Sequence, residues 1–413
     1  MTEPNAPAHA QPALLRHGPF VRFVYVRIAA SVALQVQAVA VGWQMYALTG
    51  SSFQLGLVGL VQFIPAVGLF LATGHAADRY DRRWVSAASQ AVEATAVAVL
   101  AAATADAWLT PALLLAMAFL VGAGRAFEQP SLQSVLPNIV SAPMLPRAIA
   151  AANLAAQTAV VAGPALGGAL LAVSPTLTFA ACAVLWLSSA AVMIGIAMER
   201  VIAKREPIKL QTVFSGLVFI WRHGVVLGAI TIDLFVVLLG SATALLPVLA
   251  HDVYHSGPIG FGALRAAPAA GAIVAALILT HRPITRRVGQ MMVATTSVYG
   301  IGTILLALSP TFSLAMAALT AVGAADTISM VIRQTLVQLH TPDQMRGRVF
   351  AVNSMFTSTS NQLGTFRAGT VAAALGAVPA VLLGGISAIA VVLISAGIFR
   401  DLLRADGYEP SAQ

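Results

Sequence analysis

Nine charged side chains fall inside long apolar stretches of this sequence: Arg27, Glu93, Arg125, Glu128, Asp233, Arg265, Asp326, Arg333 and Arg367. A charge at the centre of a bilayer costs at least about 2.5–3.5 kcal/mol, so each one needs a function or a partner. Asp233 stands in IDLFVVLLGSATALLPVLA with no cation near it in sequence. A lone carboxyl there can take up and release a proton, or hold a positively charged substrate. It can also be a neutralised structural group, for instance paired with Arg265. Arg125 and Glu128 are three residues apart and share a helix face, as a self-contained pair or as a substrate contact. Asp326 is open to two readings, a salt bridge that forms and breaks during transport and a pair with Arg333. Glu93 is expected to snorkel to the lipid side or to bond Gln90, with a relay role as the alternative. Gln35, Gln37, Gln44, Gln129, Gln133, Asn153 and Gln157 offer hydrogen bonds to a polar ligand or to neighbouring helices.

The elements that must carry these groups are membrane helices. The chain has 413 residues, 58% hydrophobic and only 9% charged, with 33 Gly and 21 Pro. A soluble domain is about 25% charged. Twelve apolar runs reach the length of a spanning helix, at 22–48, 53–73, 84–105, 111–136, 148–172, 177–198, 225–250, 259–280, 289–308, 311–336, 348–373 and 379–399. Lys and Arg alternate between the connections. Arg16 and Arg22, Arg79, Arg82 and Arg83, Arg147, Arg200 to Lys209, Arg282 to Arg287, Arg346, and Arg400 with Arg404 occupy one side, and the opposite loops carry none. By the positive-inside rule both termini are cytoplasmic in a cell (inner or plasma) membrane. The first 19 residues lack the apolar core and cleavage site of a secretory signal, so the first span is expected to act as an uncleaved one. Of the tryptophans, Trp186 alone falls in mid-helix, away from the interfaces these rings prefer.

The runs repeat. GLVQFIP (59–65) matches GALRAAP (262–268), VGAGR (121–125) matches VGAAD (322–326), and MLPRAIAAAN (144–153) matches QMRGRVFAVN (344–353). Parallel repeats of this kind place a substrate site between two halves, near the midplane. The expected organisation is a tail 1–21, a six-helix bundle 22–199, a cytoplasmic linker 200–216, a second bundle 217–399 and a tail 400–413.

The stretch GHAADRYDRR (74–83) gathers five formal charges directly after the second run. Its Gly74, Asp78, Arg79, Arg82 and Arg83 resemble the signature loop of the major facilitator superfamily. That resemblance implies an all-α integral membrane fold of twelve helices in two pseudo-symmetric bundles, with these residues as a conformational latch between helices 2 and 11. Asp81 stands where the family often has Gly. In the family the third helix of each triplet (3, 6, 9 and 12) stands outside the cavity, and of the nine charges only Glu93 falls on one of those four. Gly163, Pro164, Gly167 and Gly168 in the fifth run resemble the superfamily's antiporter motif, and equally suit tight helix packing. The segments AFEQPSLQSVLP (126–137), DLFVVLLGSATALLPVLA (233–250), GAADTISMVIRQTLVQLHTPDQMRGRVFAVNSMF (323–356) and SNQLG (360–364) are similar to the enterobactin-exporter-like branch, although Thr365 and Arg367 follow SNQLG where that branch often has acids.

These readings together imply a secondary transporter, a proton-antiport exporter of a siderophore-like or drug-like molecule, acting as a monomer. An uptake symporter and a non-transporting sensor or assembly factor on the same fold are the alternatives. The residues expected to carry coupling or substrate contacts are Asp233, Asp326, Arg125, Glu128, Arg265 and Arg333. No phosphate loop, hydrolase or redox constellation is present, and no cofactor is expected. The net charge of +8 forms no continuous stripe and argues against nucleic acid. Cys182 is the single cysteine, so no internal disulfide forms. His251, Asp252 and His255 at the end of the seventh run are read as an exposed loop cluster and not as a metal site.

Overall fold

The computed structural model describes residues 14–69, 72–73, 80–198, 210–404 and 406–408, and all regular structure among them is helical. The first six long helices are α1 Gly18–Thr49, α2 Ser52–Gly68, α3 Arg82–Ala105, α4 Pro111–Val135, α5 Leu145–Val173 and α6 Pro175–Ile194. The next six are α7 Gly224–Gly240, α8 Gly257–His281, α9 Val288–Leu308, α10 Phe312–Leu339, α11 Asp343–Leu375 and α12 Ala377–Ile398. The helix Leu210–Arg222 precedes α7 and packs on α11. The expected linker 200–216 lies outside the described residues up to 209.

Local chemistry sets the ends on one side of the molecule. Ser51, Thr110, Ser174 and Thr311 cap α2, α4, α6 and α10, each accepting a backbone N–H of the first turn. Gly50 closes α1 in the left-handed region (φ 58°), where its N–H reaches Tyr46 O at 2.7 Å. Prolines 65, 130, 164 and 268 lie inside α2, α4, α5 and α8. Each removes a backbone donor from its helix.

Ten helical stretches among the described residues are long and apolar enough to cross a membrane. Two of the twelve expected spans differ. The described part of the second run is the 17-residue Ser52–Gly68, the expected span 53–73 reaching residues 70–71 that lie outside the described ones, and α11, at 33 residues, is too polar to qualify by composition. The expected single run 225–250 is also broken. Gly224–Gly240 ends at Ser241, and a 3-10 turn Thr243–Leu245 leads into a π-helical turn Leu249–Val253.

Packing follows a repeated scheme. α1 packs on α5 and α6, α3 on α4 and α6, and α2 on α4. The same pairings recur as α7 with α11 and α12, α9 with α10 and α12, and α8 with α10. The most extensive contacts between these sets are α5 with α8 and α2 with α11. Both rest on glycine. A Cβ on Gly168 would stand 2.9 Å from the Cα of Gly262, and one on Gly56 would stand 3.1 Å from the Cα of Gly369. Without side chains the backbones approach closely enough for dispersion to hold them, the main attraction available between helices in lipid. Gly163 and Gly167 of the antiporter-like motif seat α5 on Gln35, Val36 and Val39 of α1.

Candidate functional site

Two clusters of intramembrane charge form, one in each set of helices. In the second, Asp233 of α7 pairs with Arg333 of α10 at 3.3 Å, and both are buried. Arg333 also donates to Asn353 Oδ1 at 2.8 Å and to Thr357 Oγ1 at 3.2 Å, both on α11. One guanidinium thus pins three helices. The partner of Asp233 is therefore Arg333 and not Arg265, because residues on facing helices meet while Arg265 sits on α8. The Asp326–Arg333 pair, one of the two readings of Asp326, does not form, because Arg333 is engaged by Asp233, Asn353 and Thr357. Asp326 makes no hydrogen bond or ion pair with any described residue and keeps its side chain open.

In the first cluster Gln90 Nε2 donates to Glu128 Oε1 at 2.9 Å, so α3 and α4 are joined by an amide–carboxylate bond. Arg125 makes no ion pair with Glu128, correcting the helix-face expectation, although it lies within electrostatic range. Arg27 of α1 donates to Asn153 Oδ1 of α5 at 3.5 Å. Glu93 neither snorkels nor bonds Gln90. It is 0% exposed, and neither of its oxygens has a partner among the described residues. A Cβ on Gly124 would stand 2.8 Å from its Cγ, so the carboxyl fills the space that a larger residue on α4 would take.

The side of the molecule carrying the α1–α2 and α7–α8 turns is shut. Tyr46 of α1 donates to Asp252 Oδ2, and His251 Nδ1 meets Asp252 Oδ1 at 2.6 Å. Trp43 lies against His251 and stacks on Phe261 of α8, with centroids 5.7 and 6.1 Å apart. His251 and Asp252 are exposed, as expected of a loop cluster, and also reach Tyr46 and Trp43 of α1. The left-handed His255 (φ 48°) turns the chain into α8. No group of metal-binding side chains occurs among the described residues.

A cavity of about 150 Å³ opens where α7 breaks. Its polar lining comes from Ser241, Thr243, Tyr299, Thr303, Asp326 and Asn361, and Pro268 of α8 closes one wall. Tyr299, Asn353, Thr357 and Asn361 escaped the sequence reading, because neutral polar residues in helices carry no charge penalty to draw attention. The match of Asn153 with Asn353 in the internal repeat was the available signal, since each receives an arginine.

Of the signature loop, Gly74, Asp78 and Arg79 lie outside the described residues. Arg82 donates to Ser134 O at 3.2 Å and Arg83 to Ile196 O at 2.9 Å. Both arginines tie the start of α3 to the ends of α4 and α6. Asp81 is extended (φ −63°, ψ 119°) and caps α3 through the N–H of Arg83, so no left-handed residue is needed there. Trp186 is fully buried and donates to Gln37 Oε1 at 3.4 Å, which explains its mid-helix place.

The sequence model of the transmembrane secretion effector family matches residues 10–410. The chain is 25% identical over 378 residues to a protein named multidrug efflux pump Tap from Mycobacterium tuberculosis, covering 87% of this chain and 88% of the relative. It is 28% identical over 400 residues to enterobactin exporter EntS from Shigella dysenteriae, covering 93% and 89%. Among solved structures, a bacterial homologue of the lysosomal transporter Spinster, inward-facing and unoccupied, superposes with TM-score 0.73 at 14% identity, covering 96% and 98%. A bacterial homologue of the iron transporter ferroportin, inward-facing, gives 0.71 at 14%, covering 95% and 100%. These structures share the fold.

Proposed function

The chain belongs to the transmembrane secretion effector family of the major facilitator superfamily, multi-pass membrane transporters and not enzymes, and we propose that it exports a small organic molecule in exchange for protons. The substrate is siderophore-like or drug-like, as the names of its efflux relatives suggest. The observation that carries the reading is the buried Asp233–Arg333 pair joining α7, α10 and α11. Removing one charge from such a pair strands the other in a dry interior, so a proton arriving at Asp233 would free Arg333 and loosen three helices at once. Asp326, Arg125, Glu128 and Arg265 supply further charge around the path.

Transport proceeds by alternating access. The two helix sets rock about the α5–α8 and α2–α11 crossings. The closure built by Trp43, Tyr46, His251 and Asp252 faces outward, given cytoplasmic termini in the inner or plasma membrane. The loop of Gly74, Asp78, Arg79, Arg82 and Arg83 latches the opposite face in the other state. The bundles 22–199 and 217–399 move as units, and a monomer suffices.

The test is deletion of the gene followed by untargeted comparison of retained and secreted metabolites, with and without iron limitation. The export reading expects at least one compound to rise inside the cells and fall in the medium, with reversal on complementation. A compound that instead accumulates outside would identify uptake and overturn it.

A further inference from the structure

We propose that the cavity at the break in α7 is a subsite for the protonated amine of a cationic substrate, with Asp326 as its counter-ion. The inference rests on the exporter reading and names the substrate class for that transporter.

The break comes first. A membrane helix is interrupted only where its freed backbone groups are buried in protein or line a cavity. Here Gly224–Gly240 stops at Ser241, and Val237, Ser241, Ala242 and Thr243 all border the cavity. The end presented to it is a helix C-terminus, the negative pole of the helix dipole, with carbonyls left over from the last turn. Such ends favour cations.

The side chains agree. Asp326 opens into the cavity with no partner among the described residues. Asn361 donates its Nδ2 to Thr357 O at 2.9 Å, which leaves its Oδ1 as a free acceptor. Thr303 donates to Tyr299 O at 2.9 Å, so its hydroxyl also has acceptor capacity to spare. Ser241, Thr243 and the Tyr299 hydroxyl add oxygen, and no basic residue is among the described residues that line the space.

Asp326 has no ion-pair partner among the described residues. Asp326 lies within electrostatic range of Asp233 and Arg333, but Arg333 is already ion-paired to Asp233. Two carboxylates therefore share one guanidinium. Arg367 lies near Tyr299, but its Nη2 turns to α12, 3.5 Å from where a Cβ on Gly384 would stand. Arg265 is one turn from Pro268 on α8 and pairs with no carboxylate among the described residues. An ammonium would supply the ion-pair partner that the Asp326 carboxyl lacks among the described residues, with three donors that match an all-oxygen lining. At about 150 Å³ the space holds several waters or an alkylammonium head.

The experiment measures equilibrium binding to the purified full chain in detergent, without any gradient. The probes are dansylcadaverine, which bears a primary amine, and its N-acetyl derivative, which is neutral and nearly the same shape. The wild-type protein should bind the amine roughly ten-fold or more tightly than the acetylated compound. Asp326→Asn should remove that preference, and Asp326→Glu should keep most of it. If Asp326→Asn does not fold, Asn361→Leu and Ser241→Ala leave the acid in place and should weaken the amine alone. Equal binding of both probes by the wild type, binding of neither, an unchanged preference in Asp326→Asn, or displacement of the amine by sodium chloride but not choline chloride would each overturn the assignment. Because no gradient enters, amine binding that survives when transport fails would count against the exporter reading and leave the subsite standing.

Discussion

Gly168 of α5 and Gly262 of α8 meet backbone to backbone, so that a Cβ on Gly168 would stand 2.9 Å from the Cα of its partner. The contact joins the two helix sets at their closed end. Gly56 and Gly369 make the equivalent crossing between α2 and α11. Substituting Val at Gly168 or Gly262 overpacks the closed state by about 1–3 kcal/mol, a shift of roughly 5- to 150-fold toward the alternative. Spin labels on the exposed Leu48 and Val253, which flank the closure on α1 and beyond α7, report it. The account expects a longer-distance population to grow in the variants. An unchanged distance distribution would show that these glycines do not gate.

Tyr46→Phe removes one hydrogen bond to a carboxylate and nothing else from the closure. Such bonds contribute about 1.5–3 kcal/mol. The same label pair should show opening in the direction of the glycine variants, and combining Tyr46→Phe with Gly262→Val should open the side further. Closure as complete as in the wild type would assign Tyr46 no part in it.

Asp233→Asn and Arg333→Gln each strand a buried charge, and each should destabilise the purified protein by about 3–5 kcal/mol. The double variant should recover much of that loss, because neither charge is left alone. Thermal melting in detergent gives the cycle. Additive losses would mean that the 3.3 Å pair carries no coupling.

Glu93→Gln should melt no lower than the wild type, since neither carboxyl oxygen has a partner to lose among the described residues. Gly124→Ala should melt lower by about 1–3 kcal/mol, because its Cβ would press on the Cγ of Glu93 at 2.8 Å. A large drop for Glu93→Gln would reveal an ionised carboxylate with a role that its packing does not explain.

Much of this was legible in the residues. Apolar length placed most of the helices, because burial in lipid leaves few alternatives. The internal repeat anticipated the doubled packing scheme. Charge partners were not legible. Asp233 and Arg333 are 100 positions apart, and only the facing of α7 and α10 brings them together. The break at Ser241 was hidden because GSATALLP keeps the hydropathy of a continuous span. Glu93 misled because its burial depends on small residues of α4, not on its own neighbours in sequence.

Reconstitution of the purified protein into proteoliposomes with an acidic lumen tests proton-driven export most directly. With outside-out and inside-out molecules both present, the imposed gradient should drive uptake of a substrate identified from the deletion strain, and nigericin should abolish the accumulation. Asp233→Asn should exchange substrate down its own gradient yet fail to concentrate it. Accumulation that persists after the pH gradient is collapsed, or that Asp233→Asn sustains at the wild-type level, would contradict the account.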